Sequence, residues 1–154
     1  MKIFIGADHA GFELKGKLIP FLENLGHEVV DKGAFEYDAY DDYPDFMEKV
    51  AEEVSKNPNS TEVRGIILGG SGQGEAMVAN KFKDVRASVY YGPNTNTSII
   101  KATRNDNDSN ILALGARFIT EEEAFSAVKD WLEIPFSGDE RHVRRINKMN
   151  ELNG

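Results

Sequence analysis

The stretch Gly65-Ile66-Ile67-Leu68-Gly69-Gly70-Ser71-Gly72-Gln73-Gly74-Glu75 decides how this chain is read. It begins as a short unbroken apolar run, the mark of a strand buried on both faces. That run passes without a spacer into four glycines within six residues, and a helix is expected from about Glu75 to Lys81. Strand, tight turn and helix form the unit from which parallel sheets are assembled. In such sheets ligands bind beyond the carboxyl ends of the strands, so the glycine turn is the first place to look for chemistry.

Working outward, the same alternation recurs. Ile3-Phe4-Ile5 predicts a strand, followed by the turn Ala7-Asp8-His9-Ala10-Gly11. Leu14, Leu18, Phe21, Leu22 and Leu25 then recur at helical spacing up to Gly26, with Pro20 expected to strain or kink the middle. Val29-Val30 predicts a weaker strand, Gly33 to Tyr43 a loop, and Pro44 the first turn of a helix striped by Phe46, Val50 and Val54. Asn57-Pro58-Asn59-Ser60 reads as a turn, Val85 to Tyr91 as a strand broken by Gly92-Pro93-Asn94, and Ile111 to Gly115 as a fifth strand. Thr120 and Glu123 fit a capping box opening a helix that buries Ala124, Ala127, Val128 and Trp131. A last helix, about 139–152, carries Val143, Ile146 and Met149 on one side. The expectation is one α/β domain over 1–154, Rossmann-like and three-layered, with a five-stranded parallel sheet and a C-terminal helix.

Composition narrows the function. The chain has 154 residues, 40% hydrophobic and 29% charged, enough for one real core. A net charge of −8 and a pI near 4.9 argue against a nucleic-acid binder. No cysteine is present, which excludes disulfides, thiolate catalysis and Cys-based zinc sites. The apolar run at Met1 to Gly6 is too short for a signal peptide or a membrane span, so a cytoplasmic protein is expected.

The glycine turn can aim several backbone N–H groups at an anion. It is not a P-loop, because Glu75-Ala76 follows Gly74 where Lys-Ser/Thr would stand, and G-x-G-x-x-G finds no match in it. A carboxylate there would repel a triphosphate, and a transient anion such as an enediolate fits better. The plainer alternative is a turn in which Glu75 only complements the helix dipole. Asp8-His9 sets a carboxylate beside an imidazole at a strand end, although Asp8 could simply cap the next helix. Arg117 falls just past the fifth strand. Arg141 and Arg145, four apart on one helix face, can clamp a phosphate or merely line a solvated surface. His27 reads as a surface residue. No His and acidic residues show metal-ligand spacing, and Asp38, Asp41 and Asp42 lack the EF-hand pattern, so no metal is expected.

These segments together resemble the type B ribose-5-phosphate isomerase family, which includes the galactose-6-phosphate isomerase subunits. The matching pieces are Gly6 to Lys15, Asp42-Tyr43-Pro44, Gly65 to Glu75, Ala79-Asn80-Lys81, Asn107 to Arg117 and Arg141 to Ile146, in family order over nearly the whole chain. The resemblance implies a cofactor-free aldose–ketose isomerase of a sugar phosphate, ribose 5-phosphate to ribulose 5-phosphate, passing through an enediolate. Many members carry a cysteine base at the position of Gly69, and another branch has a glutamate where Glu75 stands. Glu75 would then be the base, and Ser71 with the amides of Gly70, Ser71, Gly72, Gln73 and Gly74 would hold the oxyanion. Asp8 would handle sugar hydroxyls. His9, Arg141 and Arg145 would hold the phosphate, with Asn107 also on the substrate and Arg117 coming from a partner subunit. A homodimer or dimer of dimers with shared sites is implied.

One departure stands out. The family reads His-Asn-Asp where this chain has Asp106-Asn107-Asp108, and that histidine is assigned to opening the furanose ring. Asp106 or Asp8 would have to take over, or the substrate would be open-chain, such as a tetrose 4-phosphate. A hexose phosphate isomerase and a non-catalytic sugar-phosphate binder are the remaining alternatives. Flavodoxin-like carriers and signalling receivers share the alternation but lack their own diagnostic residues here.

Overall fold

A computed structural model describes residues 1–59, 61–90, 92 and 98–152. Of the expected turns and strand ends, Ser60, Tyr91, Pro93 and Asn94 lie outside the described residues. The elements run β1 (Lys2–Ala7), α1 (Phe12–Asn24), β2 (Glu28–Asp31), α2 (Pro44–Ser55), β3 (Val63–Gly69) and α3 (Gln73–Ala79). They continue with β4 (Ala87–Tyr90), α4 (Ile99–Asn105), β5 (Ile111–Gly115), α5 (Glu121–Glu133) and α6 (Glu140–Glu151).

All strand pairs are parallel, in the order β2-β1-β3-β5-β4. The chain therefore leaves β1 toward one edge and returns to its other side. The order reverses between β1 and β3, the switch point at whose carboxyl ends such sheets bind ligands.

Period-two alternation sends neighbouring side chains to opposite layers. Ile66 and Leu68 join Leu18, Leu22, Leu112, Leu114 and Trp131 beneath α1 and α5. Ile67 joins Met47, Val50, Val54, Ile111 and Ala113 beneath α2 and α3. Each such aliphatic side chain removed from water contributes about 1.5–3 kcal/mol before entropy is counted.

The capping box of α5 is present, with Thr120 Oγ1 accepting from the Glu123 backbone and Glu123 answering at Thr120 N–H. Pro20 lies inside an uninterrupted α1. Its ring faces the turn at Gly16, which has open space around its Cα and can give way. α3 starts two residues earlier than expected, because Gly72 adopts φ +79° and begins the helix from a left-handed cap.

His27 is only half exposed. Its Nδ1 lies 3.2 Å from the N-terminal amine, and burial, then that charge, lower its pKa below the ordinary value. α6 buries His142 and Ile146 and leaves Val143 and Met149 exposed, as is Leu152 just past its end. No described helix is long and apolar enough to cross a membrane.

At the amino ends of the strands, three buried arginines, Arg64, Arg86 and Arg104, gather near Asp108. Asp108 bonds Arg104 Nη1 at 2.9 Å and Arg86 Nη2 at 3.2 Å, and accepts Arg86 Nε on its carbonyl. Burial, then the charge of Arg104, pushes the Arg64 guanidinium down to about 10. This knot pins the turn from Asp106 to Ser109, with Asp108 itself at φ +47°.

Candidate active site

At the β1–β3 switch point the Glu75 side chain turns back under the strand end and is 4% exposed. Its carboxylate fills the space beside the Gly69 Cα, where any Cβ would overlap it. Burial raises the Glu75 pKa above its ordinary 4.5, the backbone N–H groups of Glu75 and Gly72 oppose that shift, and the charge of Asp8 adds to it. A carboxyl so placed moves toward the range useful for general-base work near neutral pH. A Cβ on Gly72 would crowd Val89 and the backbone of Leu114 and Gly115, and one on Gly74 would meet the Tyr43 ring at 2.8 Å. The loop is thus wedged between β5 and the start of α2.

The Asp8 carboxylate, 6% exposed, accepts from the backbone N–H of Ala10 at 2.9 Å and Gly11 at 3.2 Å. It braces the turn rather than capping α1, whose first residue follows Gly11. His9 is held from the 33–43 loop. Asp41 Oδ1 lies 2.7 Å from its Nδ1 and 3.1 Å from its backbone N, and the Tyr37 ring meets it edge-on. Asp8, His9 and Asp41 bring three donor atoms within 4.8 Å of one another, a cluster that sequence spacing did not disclose. Asp41 Oδ1 is already engaged by His9, and its Oδ2 is buried.

The Arg117 guanidinium lies against Gly70 of its own chain, about 3.1 Å from where a Cβ would stand, and the Arg117 backbone N–H donates to the Gly70 carbonyl. No partner subunit is needed to bring it to the loop. Two of the amides expected to hold an oxyanion are engaged within the loop. Gln73 N–H donates to Ser71 Oγ at 3.2 Å, and Gly72 N–H faces the Glu75 carboxylate.

A second cluster sits at the other end of the sheet. Asp106, Asn107, His142, Arg145, Ile146 and Met149 line a cavity of about 260 Å³ between the α4–β5 turn and α6. His142 Nε2 faces Asp106 Oδ1 at 3.5 Å, with side-chain exposures of 9% and 43%. Asn105 Nδ2 donates to the same Asp106 oxygen at 2.9 Å. Arg141 is exposed one turn away on α6. β3 and β5 pair from Gly65–Ile111 to Gly69–Gly115. That length alone separates the two clusters within one chain by more than about 13 Å.

Residues 3–149 match the ribose/galactose isomerase family. The chain belongs to that family. It is 40% identical to the ribose-5-phosphate isomerase B of Mycolicibacterium paratuberculosis over 151 residues, covering 98% of this chain and 91% of the relative. Among solved structures it is similar to the ribose-5-phosphate isomerase B of Mycoplasma genitalium with bound ribulose-5-phosphate, with a TM-score of 0.90, 38% identity and coverage of 98% and 95%. The Clostridium thermocellum ribose-5-phosphate isomerase B gives a TM-score of 0.87 at 41% identity, covering 99% and 97%.

Within this isomerase fold, Asp8, His9, Gly70 to Glu75 and Arg117 come together at one end of the sheet. Asp106, Asn107 and Arg145 come together at the other. Asp41 lies in an acidic loop without a calcium pattern, and nothing in the sequence ties it to His9, 32 residues away. His142 stands between Arg141 and Val143 in the chain, with no spacing signal of its own. A buried histidine beside an exposed carboxylate has no spacing signature when the two lie on different elements.

Proposed function

We propose that this isomerase interconverts ribose 5-phosphate and ribulose 5-phosphate without a cofactor, Glu75 moving the proton between carbons 1 and 2. The observation that carries the reading is the buried Glu75 carboxylate at the glycine loop, its pKa raised by burial and by Asp8. Glu75 takes the proton from carbon 2 of the open-chain aldose, leaving an enediolate, and returns it to carbon 1. Donors already aimed at the developing oxyanion stabilise it without reorganising, and Gly70, Ser71 and Gly74 are the loop residues suited to this. Ser71 and Asp8 manage the hydroxyl protons. His9, Arg141 and Arg145 bind the phosphate, Arg117 reaches the substrate over Gly70, and Asn107 holds a hydroxyl.

These roles need Glu75 and Arg145 in one site, yet a sheet length divides them within the chain. A second copy resolves this. We propose a homodimer, or a dimer of dimers, in which the α6 cluster of one protomer completes the Glu75 cleft of the other. The apolar side chains left exposed on α6, Val143 and Met149, with Leu152 just beyond it, support that reading. A cytoplasmic location belongs to the same proposal.

The test is proton NMR of ribose 5-phosphate with the purified protein in deuterated buffer, erythrose 4-phosphate being run beside it. Ribulose 5-phosphate carrying deuterium, lost in Glu75→Gln, is the expected result. Exchange on the tetrose alone would move the substrate to sugars that form no furanose ring. Silence on both would overturn the pentose and tetrose readings and leave a hexose phosphate or a binding role.

A further inference from the structure

We propose that Asp106 and His142 act as one proton-transfer pair that opens the furanose ring of the sugar phosphate. Asp106 meets the ring oxygen and His142 stands behind it as a positioning residue. This rests on the isomerase reading above and on the second copy bringing the cavity to the Glu75 cleft.

Three observations lead to it. The pair is asymmetric in exposure, with the carboxylate 43% open to the cavity and the imidazole 9% exposed, its Nε2 toward Asp106 Oδ1. The carboxylate therefore meets a ligand and the imidazole supplies or stores its proton. Secondly, Arg145 lines the same cavity. In ribose 5-phosphate the ring oxygen is borne on carbon 4, next to the carbon carrying the phosphate ester. A cation gripping the phosphate therefore brings the ring oxygen, rather than the carbon 1–carbon 2 bond, toward Asp106. Thirdly, the turn is rigidly held, since Asp108 is tied to Arg86 and Arg104 and Asn105 anchors the Asp106 carboxylate. Acid–base groups work best when their geometry is fixed beforehand.

The step balances in protons and electrons. Asp106 as the carboxylic acid donates its proton to the ring oxygen. The carbon 1–oxygen bond breaks with its electron pair going to that oxygen. The proton of the carbon 1 hydroxyl leaves to solvent as the aldehyde forms. The His142 imidazolium re-protonates Asp106 and regains its own proton from solvent, so none is consumed. Glu75, in the other half of the site, then acts on the open chain.

Ribulose 5-phosphate separates the two steps, because its phosphorylated carbon 5 prevents a furanose ring. Its carbon 1 proton can exchange with solvent through the enediolate with no ring opening. The experiment measures, in deuterated buffer, the rate of ribose 5-phosphate conversion and the rate of deuterium entry at carbon 1 of ribulose 5-phosphate. It compares wild type, His142→Gln and Asp106→Asn, the last at a half-exposed position, with circular dichroism to confirm that each variant folds. The ratio of conversion to exchange is expected to fall about 100-fold in both variants, the lower end of the usual contribution of a positioned acid–base group. Equal loss of both rates, or loss of neither, overturns the proposal. Wild-type protein that does neither reaction overturns the ribose 5-phosphate reading instead.

Discussion

The carboxylate of Glu75 occupies the volume that a side chain on Gly69 would fill. The two positions are sterically exclusive, so a base at one requires glycine at the other. Gly69→Ala must push the carboxylate out of its seat or shift the end of β3. A displacement of about 1 Å costs on the order of 100-fold in rate. Gly69→Ala is expected to lower kcat by about that factor with KM little changed, while circular dichroism stays that of wild type. A variant retaining full kcat would show that the observed Glu75 seat is not the working one.

Glu75 titrates above its ordinary 4.5 because it is buried and because Asp8 stands nearby. A general base must be deprotonated, so kcat/KM should fall as pH drops through this raised value. Asp8→Asn removes the neighbouring charge, and the acid limb of the profile should move to lower pH. Any activity lost with Asp8 will appear as a lower plateau, separable from the shift. An unmoved or upward-moved limb would mean another group sets it.

The same shift has a stability consequence of opposite sense. In the unfolded chain Glu75 gives up its proton near 4.5, while the fold keeps it protonated to higher pH. Between the two values the native state binds more protons, so this contribution to stability falls as pH rises and is at its worst at neutrality. Glu75→Gln should therefore melt higher than wild type at pH 7 and lose that advantage below about pH 4, whatever its activity. Melting curves at the two pH values decide it.

Much of this was legible in the chain because local signals agreed. The alternation around Ile66-Ile67-Leu68 placed β3, the capping box placed α5, and the glycines placed the site. The strand order was not legible, since β1's central place is set by pairing that no local pattern encodes. Nor was the division of the site. Arg117 and Arg145 are both cations late in the chain, yet one follows β5 and the other returns on α6 to the opposite end. Sequence motifs gather residues by family habit, whereas the crossover geometry decides which end of the sheet receives them.

Asp41 is one such long-range partner, 32 residues from His9 and joined to it at 2.7 Å. By accepting from Nδ1 it leaves Nε2 as the nitrogen facing outward and fixes the plane of the ring. Asp41→Asn keeps the shape but can no longer offer a charged acceptor. A charge-assisted hydrogen bond contributes about 1.5–3 kcal/mol, so phosphate binding through His9 should weaken by at least about tenfold. The expected result is a raised KM with kcat changed less, and weaker inhibition by inorganic phosphate. A fall in kcat at unchanged KM would place His9 in proton transfer instead.

Glu75 and Arg145 lie at opposite ends of one sheet, and this makes subunit complementation decisive. Glu75→Gln should lose turnover, while Arg145→Ala should mainly raise KM, so at low substrate each pure variant is nearly silent. If each site takes Glu75 from one protomer and Arg145 from the other, a mixed dimer contains one site with both defects and one with neither. Random reassortment of equal amounts makes half the dimers mixed, and about a quarter of all sites are then intact. Denaturing the two variants together and refolding them should restore roughly a quarter of wild-type activity, while each refolded alone restores none. Recovery no greater than the sum of the separate variants would mean that every site is built within a single chain, and the shared-site arrangement would fall.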